Sequence, residues 1–303
     1  MRLGSIDVGT NSCRMLVVDY TGNKLEVLKK GLVITRLGEG VDKNLGLTAG
    51  AIERTSNAII NFLAEMKDLE LDNIRIIGTS ALRDVKNAEL LINKVKDSFN
   101  VPFDVISGEE EARLNYLANK YDNKNAIIID IGGGSTEFIW EKGKEILYKS
   151  LDMGSVRMTE RFISDTSGKA SKEELADIKR NVLKLMDENI FIDLEIDKLV
   201  GLGGTITTLT AIELALEEYD SEKIEGHLLK SKTIKEILLS LSNKTLTERK
   251  QIRGLQPGRA DVIIAGTVIL DTIMDKLEIE EILTSEYDLL YGVIEEMKNK
   301  MNS

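Results

Sequence analysis

Two copies of a motif that suits phosphate binding occur in this chain of 303 residues. The matching residues are Asp7, Gly9 and Ser12 in the first copy and Asp130, Gly132 and Ser135 in the second. Apolar runs flank each copy, which predicts a strand, a tight glycine turn and a second strand. The backbone N–H groups of such a hairpin can bind an anion. The repetition therefore predicts two related domains that bind one phosphate chain.

The turns themselves differ between the copies. The second turn is Gly132, Gly133 and Gly134, and three consecutive glycines carry an entropic cost that a close approach of backbone to phosphate would explain. The alternative is a tight hairpin without a ligand, and the repeat favours phosphate. In the first copy we expect phosphate contacts from the residues of the turn and the strand after it, Thr10, Asn11, Ser12 and Arg14.

Three carboxylates accompany the two motifs, namely Asp7, Asp130 and Glu137. Mg²⁺ prefers one or two carboxylates together with substrate oxygens and water, and Mn²⁺ could take the same ligands. Glu137 follows Ser135 by two positions, so both side chains point to one face of the strand. The alternative is that the two aspartates accept hydrogen bonds from their own turns. The pattern predicts a metal site at these carboxylates.

A third glycine loop, residues 201–205, follows a short apolar strand and precedes a helical run. We expect its Gly203, Gly204 and Thr205 to bind an anion at the helix N-terminus. No Gly-Lys-Ser/Thr follows, so this is not a Walker A loop.

Two further groups of side chains suit phosphate chemistry. Glu109, Glu110 and Glu111 open a predicted helix, where acids are favoured by the helix dipole, but one of them could act as general base on water. Arg83 follows a predicted strand and could clamp a phosphate, although a surface salt bridge is an equally good interpretation.

Composition narrows the class of protein. Hydrophobic residues make up 42% and charged residues 30%, as in an ordinary globular protein. No apolar run has the length of a membrane span, and Met1 leads straight into a strand-like segment, so we expect no membrane association, no signal peptide and a cytoplasmic location. One cysteine and one histidine exclude an internal disulfide and a histidine-based metal cluster.

The net charge of −11 argues against nucleic-acid binding and requires local basic residues if the ligand is a polyanion. The candidates are Arg14, Arg83, Arg113, Arg157, Arg249, Lys250, Arg253 and Arg259.

Hydrophobic periodicity predicts alternating strands and helices, and hence the α/β class. A helix is predicted over residues 48–68 with Thr48 as N-cap, and another over 171–189 that opens with a capping box at Ser171 and Glu174. A polar break places the domain boundary between residues 123 and 124. We therefore expect domains at 1–123 and 124–287 that pack against each other.

Ordered motifs span nearly the whole chain, at residues 7–12, 78–83, 107–113, 130–137, 151–157, 201–205 and 254–261. In these motifs the sequence resembles the exopolyphosphatase / guanosine pentaphosphate phosphatase family. The resemblance implies two actin-like (ribonuclease H-like) domains with an interdomain cleft. It also implies a C-terminal helix, about 288–303, that packs back on the first domain.

The resemblance further implies hydrolysis of a terminal phosphoanhydride with Mg²⁺. It assigns Glu111 as catalytic base, Arg83 as a phosphate contact, and Asp130 and Glu137 as carboxylates that position metal or water. We expect Arg259 to join the glycine loops in binding substrate. Longer family members carry a further C-terminal domain related to histidine–aspartate phosphohydrolases, and with a single histidine in the sequence we expect no such domain here.

The substrate prediction is inorganic polyphosphate, with guanosine pentaphosphate, and hence the stringent response, as the nearest alternative. Two further hypotheses are a non-catalytic sensor of alarmones or polyphosphate and an actin-like ATPase or sugar kinase. For the kinase hypothesis we identify neither a sugar-binding aspartate nor an adenosine pocket. We expect no nucleic-acid partner, and a homodimer is a further possibility.

Overall fold

The computed structural model describes residues 1–22, 24–41, 46–119, 125–143, 145–189 and 196–302. The chain forms two compact units, which we call unit 1 (Met1–Lys120 with Tyr287–Ser303) and unit 2 (Tyr121–Glu286). The boundary predicted between residues 123 and 124 lies outside the described residues. Within the described ranges, no helix is long and apolar enough to cross a membrane.

Unit 1 contains a sheet of five strands in the order β3-β2-β1-β4-β5. The strands are β1 (Arg2–Val8), β2 (Ser12–Thr21), β3 (Lys24–Ile34), β4 (Asn73–Gly78) and β5 (Phe103–Val105). The first three are antiparallel neighbours, whereas β4 is parallel to β1 and β5 is parallel to β4. The carboxyl ends of β1 and β4 therefore meet at one edge of the sheet.

In the described part of unit 1, helices between β3 and residue 119 connect and cover this sheet. They are α1 (Ala49–Lys67), α2 (Ser80–Arg83), α3 (Ala88–Lys96) and α4 (Gly108–Ala118). The Thr48 side chain accepts a hydrogen bond from Ala51 N at 3.2 Å, which confirms the predicted N-cap of α1. The helix buries Ile59, Phe62 and Leu63 in the core of unit 1 because these residues recur at helical spacing.

The C-terminal helix α12 (Leu289–Asn302) packs on α4 and β1 within unit 1. Its apolar face joins Leu3, Leu16 and Leu114 in a buried cluster. A Cβ at Gly292 would lie 2.1 Å from the carbonyl oxygen of Leu114, so only glycine permits this close approach of the two helices.

Unit 2 repeats the sheet. Its six strands have the order β10-β11-β9-β6-β7-β8. They are β6 (Ala126–Ile131), β7 (Thr136–Lys142), β8 (Glu145–Leu151), β9 (Lys198–Leu202), β10 (Leu228–Lys230) and β11 (Glu281–Thr284). As in unit 1, three antiparallel strands are followed by strands parallel to the first, β9 beside β6 and then β11. This order is that of the ribonuclease H-like, actin-like fold, which confirms the predicted fold class.

Helices pack against the sheet of unit 2. They are α5 (Ser155–Phe162), α6 (Lys172–Asn189), α7 (Gly203–Glu213), α8 (Ser221–Ile224), α9 (Ser231–Ser242), α10 (Leu246–Arg249), a 3₁₀ turn (Pro257–Arg259) and α11 (Ile263–Leu277). The predicted capping box of α6 is confirmed, because Glu174 N donates to Ser171 Oγ at 3.2 Å and Ser171 N donates to Glu174 Oε2 at 2.8 Å. Helix α11 is apolar on nearly every side and is buried among α5, α6, α7 and α9.

Candidate active site

The first loop, residues 9–12, joins β1 to β2 as a tight turn. Gly9 N donates to the carbonyl oxygen of Ser12 at 3.0 Å and closes the turn. The side chains of Thr10, Asn11 and Ser12 are all buried. The Nδ2 atom of Asn11 is buried and has no hydrogen-bond partner within the described part of the chain. An oxygen of a bound anion would satisfy this donor.

The segment after β3 holds the first loop in place. Thr35 N and Arg36 N donate to the carbonyl oxygen of Asn11 at 3.1 and 2.9 Å, and Gly38 N donates to that of Thr10 at 2.8 Å. A Cβ at Gly38 would lie 2.2 Å from Cγ2 of Thr10, so glycine is required for this contact. Because these carbonyls are engaged by neighbouring backbone, the loop can present N–H groups to a phosphate.

Asp7 lies at the end of β1, opposite Arg14 of β2. Its Oδ2 accepts hydrogen bonds from Arg14 Nε at 3.0 Å and from Arg14 Nη2 at 2.6 Å. Its Oδ1 is buried and lacks a hydrogen-bond partner among the described residues. Burial raises the pKa of the Asp7 carboxyl, Arg14 opposes this rise, and the charge of Asp288 adds to it. A cation at Oδ1 would favour the ionised carboxylate.

Arg83 and Glu111 form a close ion pair in unit 1. Arg83 Nη1 lies 2.7 Å from Glu111 Oε2 and also donates to the carbonyl oxygen of Ile106 at 3.0 Å. The turn before Arg83 is fixed to β1, since Thr79 N donates to the carbonyl oxygen of Val8 at 3.3 Å. Burial raises the pKa of Glu111, and the Arg83 guanidinium opposes that rise. A carboxylate of raised pKa suits general-base work near neutral pH.

The three acids at the start of α4 have different environments. Glu109 is exposed, whereas Glu110 is paired with Arg113, whose Nε lies 2.7 Å from Glu110 Oε2. The helix begins after Ser107, whose side chain accepts from Glu110 N at 3.1 Å. Glu111 is the buried member of the three. The three acids therefore differ: Glu109 is solvated, Glu110 forms an ion pair with Arg113, and Glu111 is the candidate base.

The second loop, residues 132–135, repeats the closing hydrogen bond of the first. Gly132 N donates to the carbonyl oxygen of Ser135 at 3.1 Å. The carbonyl oxygens of the turn are engaged by the start of α5 and by Arg157. The donors are Ser155 N to Gly132 at 2.9 Å, Val156 N to Gly133 at 2.8 Å and Arg157 Nε to Gly134 at 2.7 Å. The same chemistry as in the first loop results, with N–H groups left for an anion.

Asp130 and Glu137 are cross-strand partners at the base of the second loop. In the sequence repeat, Glu137 stands where Arg14 stands in unit 1, and both lie opposite the loop's aspartate. Glu137 Oε1 accepts from Ser150 Oγ at 2.7 Å, and both carboxylates are buried. Two carboxylates on neighbouring strands form a donor set that suits Mg²⁺ or Mn²⁺. The chemistry of these residues therefore fits a metal.

The third loop lies beside Asp130. Gly203 has a φ of +86°, and a Cβ there would lie 2.3 Å from Asp130 Oδ1, so glycine is needed for both backbone and space. A Cβ at Gly204 would lie 1.9 Å from Arg259 Nη1, which places this guanidinium against the start of α7. Thr205 is buried in the first turn of α7. The predicted third loop and Arg259 thus come together in unit 2.

The comparisons with known proteins agree with this geometry. The chain matches the family described as the Ppx/GppA phosphatase family over residues 16–301. The chain belongs to this family. The resemblance noted in the sequence is therefore confirmed, and so, at the level of the Ppx/GppA family, is the prediction of a hydrolase.

Three relatives illustrate the range of the Ppx/GppA family. The chain is 38% identical to the bifunctional 3-dehydroquinate synthase/phosphatase of Fusobacterium nucleatum, with 98% of this chain and 46% of that protein covered. It is 30% identical to exopolyphosphatase 2 of Mycobacterium tuberculosis, with 96% and 97% covered. It is 31% identical to the guanosine-5'-triphosphate,3'-diphosphate pyrophosphatase of Vibrio parahaemolyticus, with 98% and 59% covered. The chain thus spans about half of the first relative and nearly all of the second.

Two solved structures show the same architecture. The Ppx/GppA family member of Aquifex aeolicus has a TM-score of 0.83 at 30% identity, covering 100% of this chain and 99% of that one. An exopolyphosphatase of Cytophaga hutchinsonii has a TM-score of 0.88 at 25% identity, covering 99% and 98%.

The basic residues proposed to line the site of this Ppx/GppA protein have different surroundings. Arg249, one of the candidates, is 1% exposed and donates to the carbonyl oxygen of Thr166, which gives its side chain a structural contact. Arg157 supports the second loop, and Arg253 lies on the surface, 3.5 Å from Glu217. Arg14 is shared between Asp7 and Asp288, and its contact with substrate stays a prediction.

Sequence reasoning missed the residues that hold the loops. The turns are supported by backbone contacts of Gly38, Gly154 and Ser155. Backbone contacts do not require a particular side chain, so the two glycines were the only signal in the sequence. Asp288 was also missed, although an acid just before a helix is a recognisable N-terminal signal.

Proposed function

We propose that this chain is an exopolyphosphatase that removes the terminal phosphate of inorganic polyphosphate with the help of Mg²⁺. The observation that carries the proposal is the duplicated hairpin loop, with the same closing hydrogen bond from Gly9 to Ser12 and from Gly132 to Ser135. Each loop follows a strand whose penultimate residue is an aspartate, and each has its carbonyl oxygens engaged by neighbouring segments. Loops of this kind bind phosphate through backbone N–H groups.

In the proposed reaction, a water oxygen attacks the terminal phosphorus while the bond to the bridging oxygen breaks. The proton of the water passes to the Glu111 carboxylate, and the shortened polyphosphate leaves with the bonding electrons. Burial supports this role, because it raises the pKa of Glu111 toward the working pH. The products are orthophosphate and a chain shorter by one phosphate.

Arg83 is proposed to serve both the base and the phosphate. Its Nη1 contacts Glu111 at 2.7 Å and the Ile106 carbonyl oxygen at 3.0 Å, which fixes the carboxylate and the guanidinium with respect to each other. A guanidinium in such a position can stabilise the charge of a transferred phosphoryl group.

Within unit 2, the residues that would hold Mg²⁺ are Asp130 and Glu137; within unit 1, Asp7 offers a cation ligand of its own. The buried Oδ1 of Asp7, with no partner in the described ranges, and the cross-strand carboxylates of unit 2 support this assignment. When bound, the metal would supply positive charge against the phosphate oxygens.

Guanosine pentaphosphate is the second candidate substrate, supported by relatives named as guanosine-5'-triphosphate,3'-diphosphate pyrophosphatases. Polyphosphate is favoured because the chain covers 97% of a relative named exopolyphosphatase, against 59% of the Vibrio relative. Both substrates offer a terminal phosphoanhydride to the same loops.

The test is phosphate release by the purified chain on long polyphosphate, short polyphosphate, guanosine pentaphosphate and ATP, measured side by side with Mg²⁺, with Mn²⁺ and with excess chelator. We expect the highest kcat/KM on polyphosphate and no turnover in chelator. A higher kcat/KM on guanosine pentaphosphate would transfer the assignment to the nucleotide phosphatase, and full activity in chelator would remove the metal from the proposal.

A further inference from the structure

Asp288, the residue immediately before the C-terminal helix α12, contacts the first loop's aspartate through one arginine. Arg14 Nη1 donates to Asp288 Oδ2, while its Nε and Nη2 donate to Asp7 Oδ2 at 3.0 and 2.6 Å. One guanidinium thus bridges two carboxylates from opposite ends of the chain. All three side chains belong to unit 1.

The position of Asp288 is fixed by the backbone around it. Its Oδ1 accepts from Leu290 N at 3.1 Å and caps α12, and its carbonyl oxygen accepts from Gly292 N at 3.1 Å. On either side, Asn119 Nδ2 donates to the carbonyl oxygen of Tyr287 and Ser5 Oγ donates to that of Leu290 at 3.1 Å. The carboxylate that receives Arg14 is therefore held by the same contacts that hold the helix.

From this geometry we infer that Asp288 is a positioning residue for Asp7. It fixes the Arg14 guanidinium, so that Arg14 engages only Oδ2 of Asp7 and leaves Oδ1 in one orientation for a cation. The inference rests on the proposed function in so far as the cation serves phosphate hydrolysis. Residues that orient a metal ligand commonly change metal affinity or activity by about 10- to 100-fold when they are replaced.

Charge supports the same conclusion. Arg14 alone would neutralise Asp7, whereas two carboxylates and one guanidinium leave one negative charge at the first loop. In unit 2, Glu137 occupies the position that Arg14 has in unit 1, so Glu137 and Asp130 already form a pair of carboxylates. Asp288 thus restores in unit 1 a net negative charge that the arginine would otherwise cancel, which favours a divalent cation.

The experiment compares Asp288→Asn with Glu295→Gln in the full chain. Asparagine keeps an oxygen for the Leu290 N–H, and Glu295 is a matched control because it lies on α12 and binds Tyr20 rather than Arg14. Free Mn²⁺ is measured by electron paramagnetic resonance without substrate, kcat and KM are measured on polyphosphate, and unfolding is followed by circular dichroism. Asp288→Ser is the second variant if asparagine prevents folding.

We expect Asp288→Asn to bind Mn²⁺ about tenfold more weakly than Glu295→Gln and to have a lower kcat, in a protein that circular dichroism shows to be folded. In an Arg14→Gln background the same substitution should have little further effect, because Asp288 acts through Arg14. Mn²⁺ affinity equal to that of Glu295→Gln, or a full additional loss in the Arg14→Gln background, would overturn the inference. If the wild type does not hydrolyse polyphosphate but Asp288→Asn still binds Mn²⁺ more weakly than Glu295→Gln, the proposed function is refuted and this inference stands.

Discussion

Glu111, the proposed base, differs from its two acidic neighbours in its surroundings. Its two acidic neighbours in sequence are solvated or paired with Arg113, while Glu111 is buried against Arg83. Desolvation disfavours the carboxylate and so makes it a better proton acceptor than a surface glutamate. The Arg83 guanidinium opposes this rise in the pKa of Glu111.

Replacing Glu111 by glutamine should slow polyphosphate hydrolysis by about 10²- to 10⁴-fold, because the amide cannot accept the proton of water. KM should change little, since the loops proposed to bind phosphate are untouched. Glu109→Gln is the matched control, as it removes an exposed acid from the same helix turn. Near-normal turnover by Glu111→Gln would exclude Glu111 as the base, and Glu110→Gln would then be measured.

The raised pKa of Glu111 also fixes the direction of the pH dependence. The proposed role requires the ionised carboxylate of Glu111, so kcat should fall with decreasing pH at values above the usual pKa range of glutamate. Arg83→Lys keeps a positive charge and should shift the acidic limb of the pH–kcat profile little. Arg83→Ala removes the cation that opposes the rise in the pKa of Glu111, so it should shift this limb to higher pH. A limb at the same pH in both variants would contradict the electrostatic role of Arg83, whatever the loss of rate.

The same shift has a consequence for stability with a defined sign. A carboxyl whose pKa is higher in the folded state than in the unfolded state stabilises the fold below its unfolded pKa, and this contribution is lost as the pH rises through the folded pKa. Burial at Asp7 and Glu111 acts in this direction. The site therefore costs stability under the conditions in which it works.

At the scale of helices and strands, the sequence predicts the features that depend on contacts between residues close in the chain. Thr48 and the pair Ser171 and Glu174 mark helix starts because their side chains bond to nearby backbone, and the structure has those bonds. The repeated aspartate and glycine spacing predicts two hairpins of one kind, and both sheets contain them. The sequence did not predict helix α5. Its N-terminus contacts the second loop, which lies more than twenty positions earlier in the chain, so local patterns do not reveal this contact.

Tertiary contacts explain the residues that sequence reasoning misjudged. Arg249 belongs to a basic cluster in the sequence, but its side chain is buried at the end of a short helix and donates to the Thr166 carbonyl. Charge pattern alone does not show whether an arginine faces water or a backbone oxygen. Asp288 was missed for the same reason, because Arg14 lies far from it in the chain.

Gly154→Ala should damage the second loop. Its Cβ would lie 2.3 Å from the carbonyl carbon of Gly133, so the start of α5 and the loop must move apart. Overpacking of this kind costs about 1–3 kcal/mol of stability, and the displaced N–H groups should lower kcat/KM further. Gly50→Ala is the control, since its Cβ meets only Arg54 Nη1 at 3.4 Å and alanine favours a helix. Calorimetry and phosphate release measure both effects.

Equal melting temperature and equal kcat/KM for Gly154→Ala and wild type would show that the second loop tolerates displacement. It would then contribute little to phosphate binding. A loss of stability without a loss of kcat/KM would separate the packing role of Gly154 from the role proposed for the loop.

At the scale of the whole molecule, a net charge of −11 opposes the approach of a polyanion. Attraction must then come from N–H groups, metal and a small number of cationic side chains at the loops. Arg259 is the cationic side chain at the third loop, where its guanidinium lies against Gly204. Salt weakens the exposed contacts between such cations and phosphate groups.

Affinity for polyphosphate should therefore rise with chain length and fall steeply with salt, because a long chain makes more screened contacts than a short one. Arg259→Glu should weaken long chains more than short ones. Arg180→Glu is the matched control, since it changes net charge equally at a site that is 73% exposed on α6. Binding titrations over a length series at two salt concentrations measure both dependences. If Arg180→Glu weakens binding as much as Arg259→Glu, the overall charge of the protein and not a local contact governs attraction. A flat length dependence together with tight guanosine pentaphosphate binding would favour the nucleotide substrate, because a ligand of that size reaches only the terminal phosphate positions.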